Sequence, residues 1–133
     1  MGPLASWVRL IVSVFCLTIL VGCRFSYSET SRWPSPDNQL DAVEVSAALG
    51  VLSVSSSLHR NIYIVKSGEP WLGGSHVASF QFPEGAQQVQ LSAVWSSPSE
   101  LTLRSSGARE AGLNSREISV GTRVVRLALE AVP

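Results

Sequence analysis

The side chains able to do chemistry are few and poorly placed for catalysis. Nucleophilic hydrolysis needs a serine, a histidine and an orienting acid brought together. The chain has two histidines, His59 and His76, and its aspartates are Asp37 and Asp41. Gly73-Gly74-Ser75-His76 sets a serine beside a histidine, but neighbours on an extended chain point to opposite faces. No serine has the glycine-flanked pattern of a nucleophile elbow. Two histidines fall short of the three or four ligands that zinc takes, and the body is too poor in aspartate for an oxygen-rich calcium cluster. The reading is a chain without catalytic residues, metal or cofactor.

The two cysteines are Cys16 and Cys23. Cys16 lies in an apolar run, Leu10 to Val21, which follows the single basic residue Arg9. This is the plan of a secretory signal, and the run is shorter than the roughly 20 apolar residues of a spanning helix. It closes on Leu20-Val21-Gly22-Cys23. That tetrad resembles the lipobox of bacterial lipoproteins, in which lipid is attached to the cysteine thiol and the chain is cut just before it. The resemblance implies a signal peptide at residues 1–22, lipidation of Cys23 and a membrane partner held through that covalent lipid. Two or three acyl chains, at about 0.8 kcal/mol per buried methylene, make a stable anchor. Arg24 follows the cysteine where aspartate would imply retention in the inner membrane, so the expected location is the outer membrane, facing the periplasm. An uncleaved signal anchor, and ordinary cleavage that leaves Cys23 as a free thiol, are the alternatives. Gly2 followed by Ser6 also fits the loose myristoylation pattern, but Pro3 constrains the acceptor and the apolar run would then have no role.

Past the anchor there is room for one small domain. Ten basic and ten acidic residues are interspersed, and no basic stripe argues for nucleic acid. With no other thiol, a mature domain would be held by its apolar core and not by disulfides. Residues 23–40, polar and bearing Pro34 and Pro36, read as a lipidated flexible tether, with Phe25, Tyr27 and Trp33 as its large apolar groups.

From residue 41 to 133 the hydropathy period becomes two. Val43, Val45, Ala47 and Leu49 form one apolar set; Ile62 to Val65 form a short strand. Ala78, Phe80 and Phe82 share a face, as do Val89, Leu91, Ala93 and Trp95, then Leu101 and Leu103. Ser105 to Asn114 reads as a polar loop. Ile118 and Val120 precede Gly121-Thr122, a tight turn or a bulge, after which the inward set moves to Val125, Leu127 and Leu129. The last strand is expected inside a sheet. About seven short strands without a helix predict an all-β, two-sheet sandwich, immunoglobulin-like or jelly-roll. Phe82-Pro83-Glu84-Gly85-Ala86, Val89-Gln90-Leu91, Leu101-Thr102-Leu103 and Gly121 to Val125 are similar to the secreted jelly-roll domains appended to bacterial peptidases. Glu100-Leu101 stands where those domains carry aspartate and leucine. The resemblance implies a binding or accessory module.

The stretch Trp71-Leu72-Gly73-Gly74-Ser75-His76 is the longest without a period, and loops of this kind carry function. Trp71, His76 and Tyr63 are the candidate binding residues, since an aromatic beside planar polar groups is what a carbohydrate site needs. The alternative is that Trp71 plugs the end of the sandwich by burial. The expected function is a non-catalytic binding or assembly module of the cell envelope, with an envelope protein or a glycan such as peptidoglycan as partner. A small envelope hydrolase is the third alternative.

Overall fold

A computed structural model describes residue 11 and residues 24–51, 54–55, 58–83 and 90–132. The signal peptide and Cys23 lie outside the described residues, apart from Ile11. The chain is all-β. In order, the strands are β1 (Arg24–Pro34), β2 (Leu40–Val51), β3 (Val54–Ser55), β4 (Leu58–Lys66), β5 (Ser75–Phe82), β6 (Gln90–Ser97), β7 (Glu100–Ser106), β8 (Glu110–Leu113), β9 (Glu117–Val120) and β10 (Arg123–Ala131). A single 3-10 turn, Trp71–Gly73, precedes β5.

Two sheets pack face to face as a small sandwich. The larger has the order β1-β2-β4-β5-β8, with β3 paired to β2, and the smaller β6-β7-β10-β9. Sequence neighbours are sheet neighbours through β1, β2, β4 and β5, unlike the A-B-E-D order of an immunoglobulin sheet. β10 lies inside the smaller sheet, parallel to β7 and antiparallel to β9.

The main core fills the space between the sheets. It comprises Leu40, Ala42, Ile62, Ile64, Val77, Ala78, Phe80 and Phe82 from the larger sheet. From the smaller come Ala93, Leu101, Leu103, Val125 and Leu127, with Leu91, Trp95 and Ile118 partly buried against them. The alternation expected for Phe80 and Phe82, Ala93 and Trp95, and Leu101 and Leu103 therefore holds. Gly121-Thr122 is a two-residue turn between the paired Val120 and Arg123, and Gly121 adopts φ 63°. A glycine first in such a turn suits the right-handed twist of a hairpin. Because Val125 pairs with Ile118, the inward set changes parity across the turn.

Four expectations are corrected. Residues 24–34, read as flexible tether, form β1: the polar side chains give no apolar period, but the main chain pairs with β2 from Arg24↔Gly50 to Pro34↔Asp41. The sandwich thus begins at Arg24 and not at residue 41, and it has ten strands, the two-residue β3 among them, where about seven were expected. On β2 the residues facing the other sheet are Leu40 and Ala42, while Val43 and Val45 belong to a second cluster with Val65. Within 105–114, read as loop, Glu110–Leu113 pairs with β5 as β8. Leu129, finally, is 37 % exposed, because β10 runs past the core at its end.

Two contacts tie sheet to sheet. The Trp95 indole Nε1–H donates to the Trp33 carbonyl at 3.0 Å, and Arg123 Nη2 meets Asp37 Oδ2 at 2.6 Å. Glu44 is a buried carboxylate; it accepts from Thr30 Oγ1 at 2.8 Å and from Arg60 Nη1 at 3.1 Å, the pairing that a buried charge requires.

Candidate functional site

The outer face of the larger sheet carries the site. Side chains alternate across a strand, so the odd residues of β2 and β4 turn away from the main core. Val43 and Val45 of β2 and Val65 of β4 are each buried there, under Tyr63 and Trp71. A sheet face left to water would expose these valines. Here they sit beneath a roof of rings.

Trp71 reaches the roof because its loop lies tight on β4. Gly74 closes the 3-10 turn, its N–H donating to the Trp71 carbonyl at 2.9 Å. A Cβ at Gly74 would stand 2.5 Å from Val65 Cγ1 and 3.0 Å from the Ile64 carbonyl oxygen. Only glycine permits that approach. The Trp71 ring then lies 5.2 Å from Tyr63 and 6.0 Å from Tyr27, tilted by 52° and 44°. Such separations and tilts are those of attractive ring pairs.

His76 is brought to the same face by a bulge. Ile62 pairs with Ala78 but the next residue, Tyr63, pairs with His76, so Val77 is the extra residue on β5. Val77 and Ala78 both face the core, and the parity of β5 flips between them. His76 consequently stacks on Tyr63 at 5.0 Å and 26°. A bulge that re-aims one side chain is a common device beside binding sites.

Both ring nitrogens of His76 are engaged. Nε2 lies 3.0 Å from the Ala78 carbonyl and 3.1 Å from Ser79 Oγ. Nδ1 lies 3.1 Å from the Asn114 amide nitrogen, which also donates to the His76 carbonyl at 3.1 Å. The carbonyl of Ala78 can only accept and the Asn114 amide nitrogen can only donate. Nε2 therefore carries the proton and Nδ1 accepts. Ser79, His76 and Asn114 have the outline of a hydrolase triad, but a protonated Nε2 cannot take the hydroxyl proton of Ser79. The arrangement orients the imidazole and gives it no base to offer at Ser79.

Polar groups frame the rings. Arg32, paired with Val43 across β1 and β2, makes a two-pronged contact with Glu29 at 2.7 and 3.0 Å and reaches Asp41 at 2.8 Å. The Arg32 hydrogen bond holds the Glu29 carboxyl below its ordinary range. Burial first, and then the neighbouring Tyr27, push the Tyr63 hydroxyl above its usual range. It stays a protonated hydrogen-bonding group through neutral pH. Among the described residues, no three His, Cys, Asp or Glu side chains converge where they could hold a metal.

The three candidates read from sequence, Tyr63, Trp71 and His76, thus meet at one place. Trp71 does not plug an end of the sandwich; it covers an outer face. Tyr27 was missed as a site residue, because its stretch has no apolar period, although its pairing with Ala47 puts it in the same sheet. Cys23 lies outside the described residues. No family model, curated protein or solved structure matches the chain.

Proposed function

We propose that this chain is a lipid-anchored binding module of the bacterial cell envelope, acting without catalysis. Lipid on Cys23 holds it in the membrane, in the outer membrane facing the periplasm, and the Tyr27, Tyr63, Trp71 and His76 face takes a protein partner. The observation that carries the binding role is that face. Four rings from separate stretches of chain gather outside the fold, with Tyr27 51 % exposed and the neighbouring Leu72 79 % exposed. Aromatic side chains are the residues most enriched in the energetic centres of protein interfaces. The proton arrangement at His76 supports recognition over acid–base chemistry. Support for the anchor is the lipobox-like Leu20-Val21-Gly22-Cys23, with Arg24 after it.

A photo-crosslinking residue at Leu72 tests the binding face in intact cells. It should give a discrete adduct that is lost in the Trp71→Ala background, whereas the same probe at Val94, on the smaller sheet, should give none. Equal labelling from both positions would reject the face. For the anchor, Cys23→Ser should lose acyl labelling; labelling that persists would reject it.

A second reading, recognition of a glycan such as peptidoglycan, is favoured by the stacking of the hydrogen-bonded His76 imidazole on Tyr63, which sets a planar polar group beside an aromatic one. Co-sedimentation with insoluble peptidoglycan, abolished by Tyr27→Ala, would select it over the protein partner.

A further inference from the structure

β1 starts at the residue after Cys23, and its first pairs are Arg24↔Gly50 and Phe25↔Leu49. Gly50 and Val51 pair in turn with Ser55 and Val54 of β3. The backbone therefore sets the acylation position beside the far end of the β2 and β3 hairpin. Adjacent Cα atoms lie about 3.8 Å apart, which leaves no length for a linker between the lipid and the folded domain. The stretch from Ala47 to Ser57 contains no charged residue and includes Leu49, Val51, Leu52 and Val54. Arg24 is the cation beside it. An uncharged apolar stretch flanked by arginine suits the boundary between acyl chains and anionic headgroups.

We infer that this hairpin end of the sandwich seats in the headgroup layer of the bilayer that receives the lipid on Cys23. The domain then stands on the membrane at a fixed angle and does not swing from a tether. The inference rests on the lipid-anchor reading proposed above. It also sets the height of the aromatic face. Val43, the partner of Tyr63, lies seven residues along β2 from Gly50, which is roughly 23 Å at a strand rise of about 3.3 Å. Trp71 and His76 are carried clear of the lipid, toward whatever stands opposite. The Gly121-Thr122 turn lies at the other end, beside Gln39 and Leu40 at the start of β2.

The experiment uses the full chain, expressed in bacteria and purified with its lipid, carrying Val51→Cys or Thr122→Cys. A polarity-sensitive thiol dye is attached, since Cys16 leaves with the signal and acylated Cys23 is blocked. The protein is reconstituted in vesicles of phosphatidylethanolamine and phosphatidylglycerol. Dye at position 51 should shift to the blue and lose its quenching by aqueous iodide, while dye at 122 should do neither. If mass spectrometry shows acyl chains on Cys23 and the two dyes are quenched alike, the seating is overturned and the anchor stands. If Cys23 carries no acyl chain, both are overturned. Ser55→Cys gives the same readout from the paired strand, should labelling at 51 disturb the β-sheet circular dichroism spectrum.

Discussion

Removing the Trp71 ring measures what the aromatic roof gives to the fold. Truncating a fully buried tryptophan to alanine costs about 3–5 kcal/mol. Trp71 is only half-buried, so burial over Val43, Val45 and Val65 accounts for about 2 kcal/mol of that. Its pair with Tyr63 at 5.2 Å adds roughly 0.5–1 kcal/mol, and the longer one to Tyr27 less. The expected loss is therefore about 2–3 kcal/mol. For a small domain, each kcal/mol moves Tm by about 4–8 °C, which places the Trp71→Ala melt roughly 10–20 °C below the parent. Trp71→Phe, which keeps a ring over the valines, should recover more than half. Val43→Ala combined with Trp71→Ala should cost less than the sum of the two single changes, because each exposes the same cluster. Thermal melts followed by circular dichroism, with urea titrations for the free energies, give these values. A Trp71→Ala melt within about 2 °C of the parent would refute the roof, since a ring that seals three valines must register in stability.

Gly74→Ala should destabilise by about 1–3 kcal/mol through overpacking against Val65 and the Ile64 carbonyl; Gly73→Ala, with open space around it, should leave the urea midpoint nearly unchanged. Glu44→Gln strips Arg60 of its carboxylate; because the Arg60 side chain is 21 % exposed and that of Glu44 only 4 %, about 2–3 kcal/mol is expected, short of the loss for a fully buried pair. Glu44→Leu with Arg60→Leu should restore most of it, as read by chemical denaturation. The Asp37 carboxyl is held at about 2 by hydrogen bonds from Arg123 and then Ser35. Its folded pKa lies below the unfolded value near about 4, so its stabilisation is whole above about pH 4 and lost as pH falls toward about 2. Urea midpoints measured from pH 5 to 2 should fall more steeply for the parent than for Asp37→Asn; parallel curves would contradict the ion pair.

Much of the sandwich was legible because one face of most strands is apolar. Phe80 and Phe82, Ala93 and Trp95, and Leu101 and Leu103 repeat at a period of two, and the Val120 to Arg123 turn explains the change of parity that follows. β1 was hidden for a physical reason: an edge strand can be held by main-chain hydrogen bonds while its side chains stay polar, so Ser26, Ser28 and Thr30 carry no hydropathy signal. β2 misled in another way. It is buried on both faces, by the opposite sheet at Leu40 and Ala42 and by the rings at Val43 and Val45, and an alternation rule picks only one of them. At the site, Tyr63, Trp71 and His76 could be named by type, but their meeting depends on the bulge at Val77 and the close approach at Gly74. Neither leaves a periodic trace, although a glycine pair after a tryptophan hints at the second.

The interior position of β10 bears on how the chain comes to be folded at all. β1, β2, β4 and β5 can zip together one after another as local hairpins while the chain is still emerging. β7 and β9 have no such option, since the strand that joins them is the last of the ten, and its parallel pairing with β7 closes a long loop of chain. Until Ala131 has emerged, the smaller sheet exists as two unjoined pieces, each with a bare edge open to wrong partners. A chain arrested before β10 would thus present half a sandwich with its apolar side uncovered, a state suited to holding by a chaperone and hazardous without one.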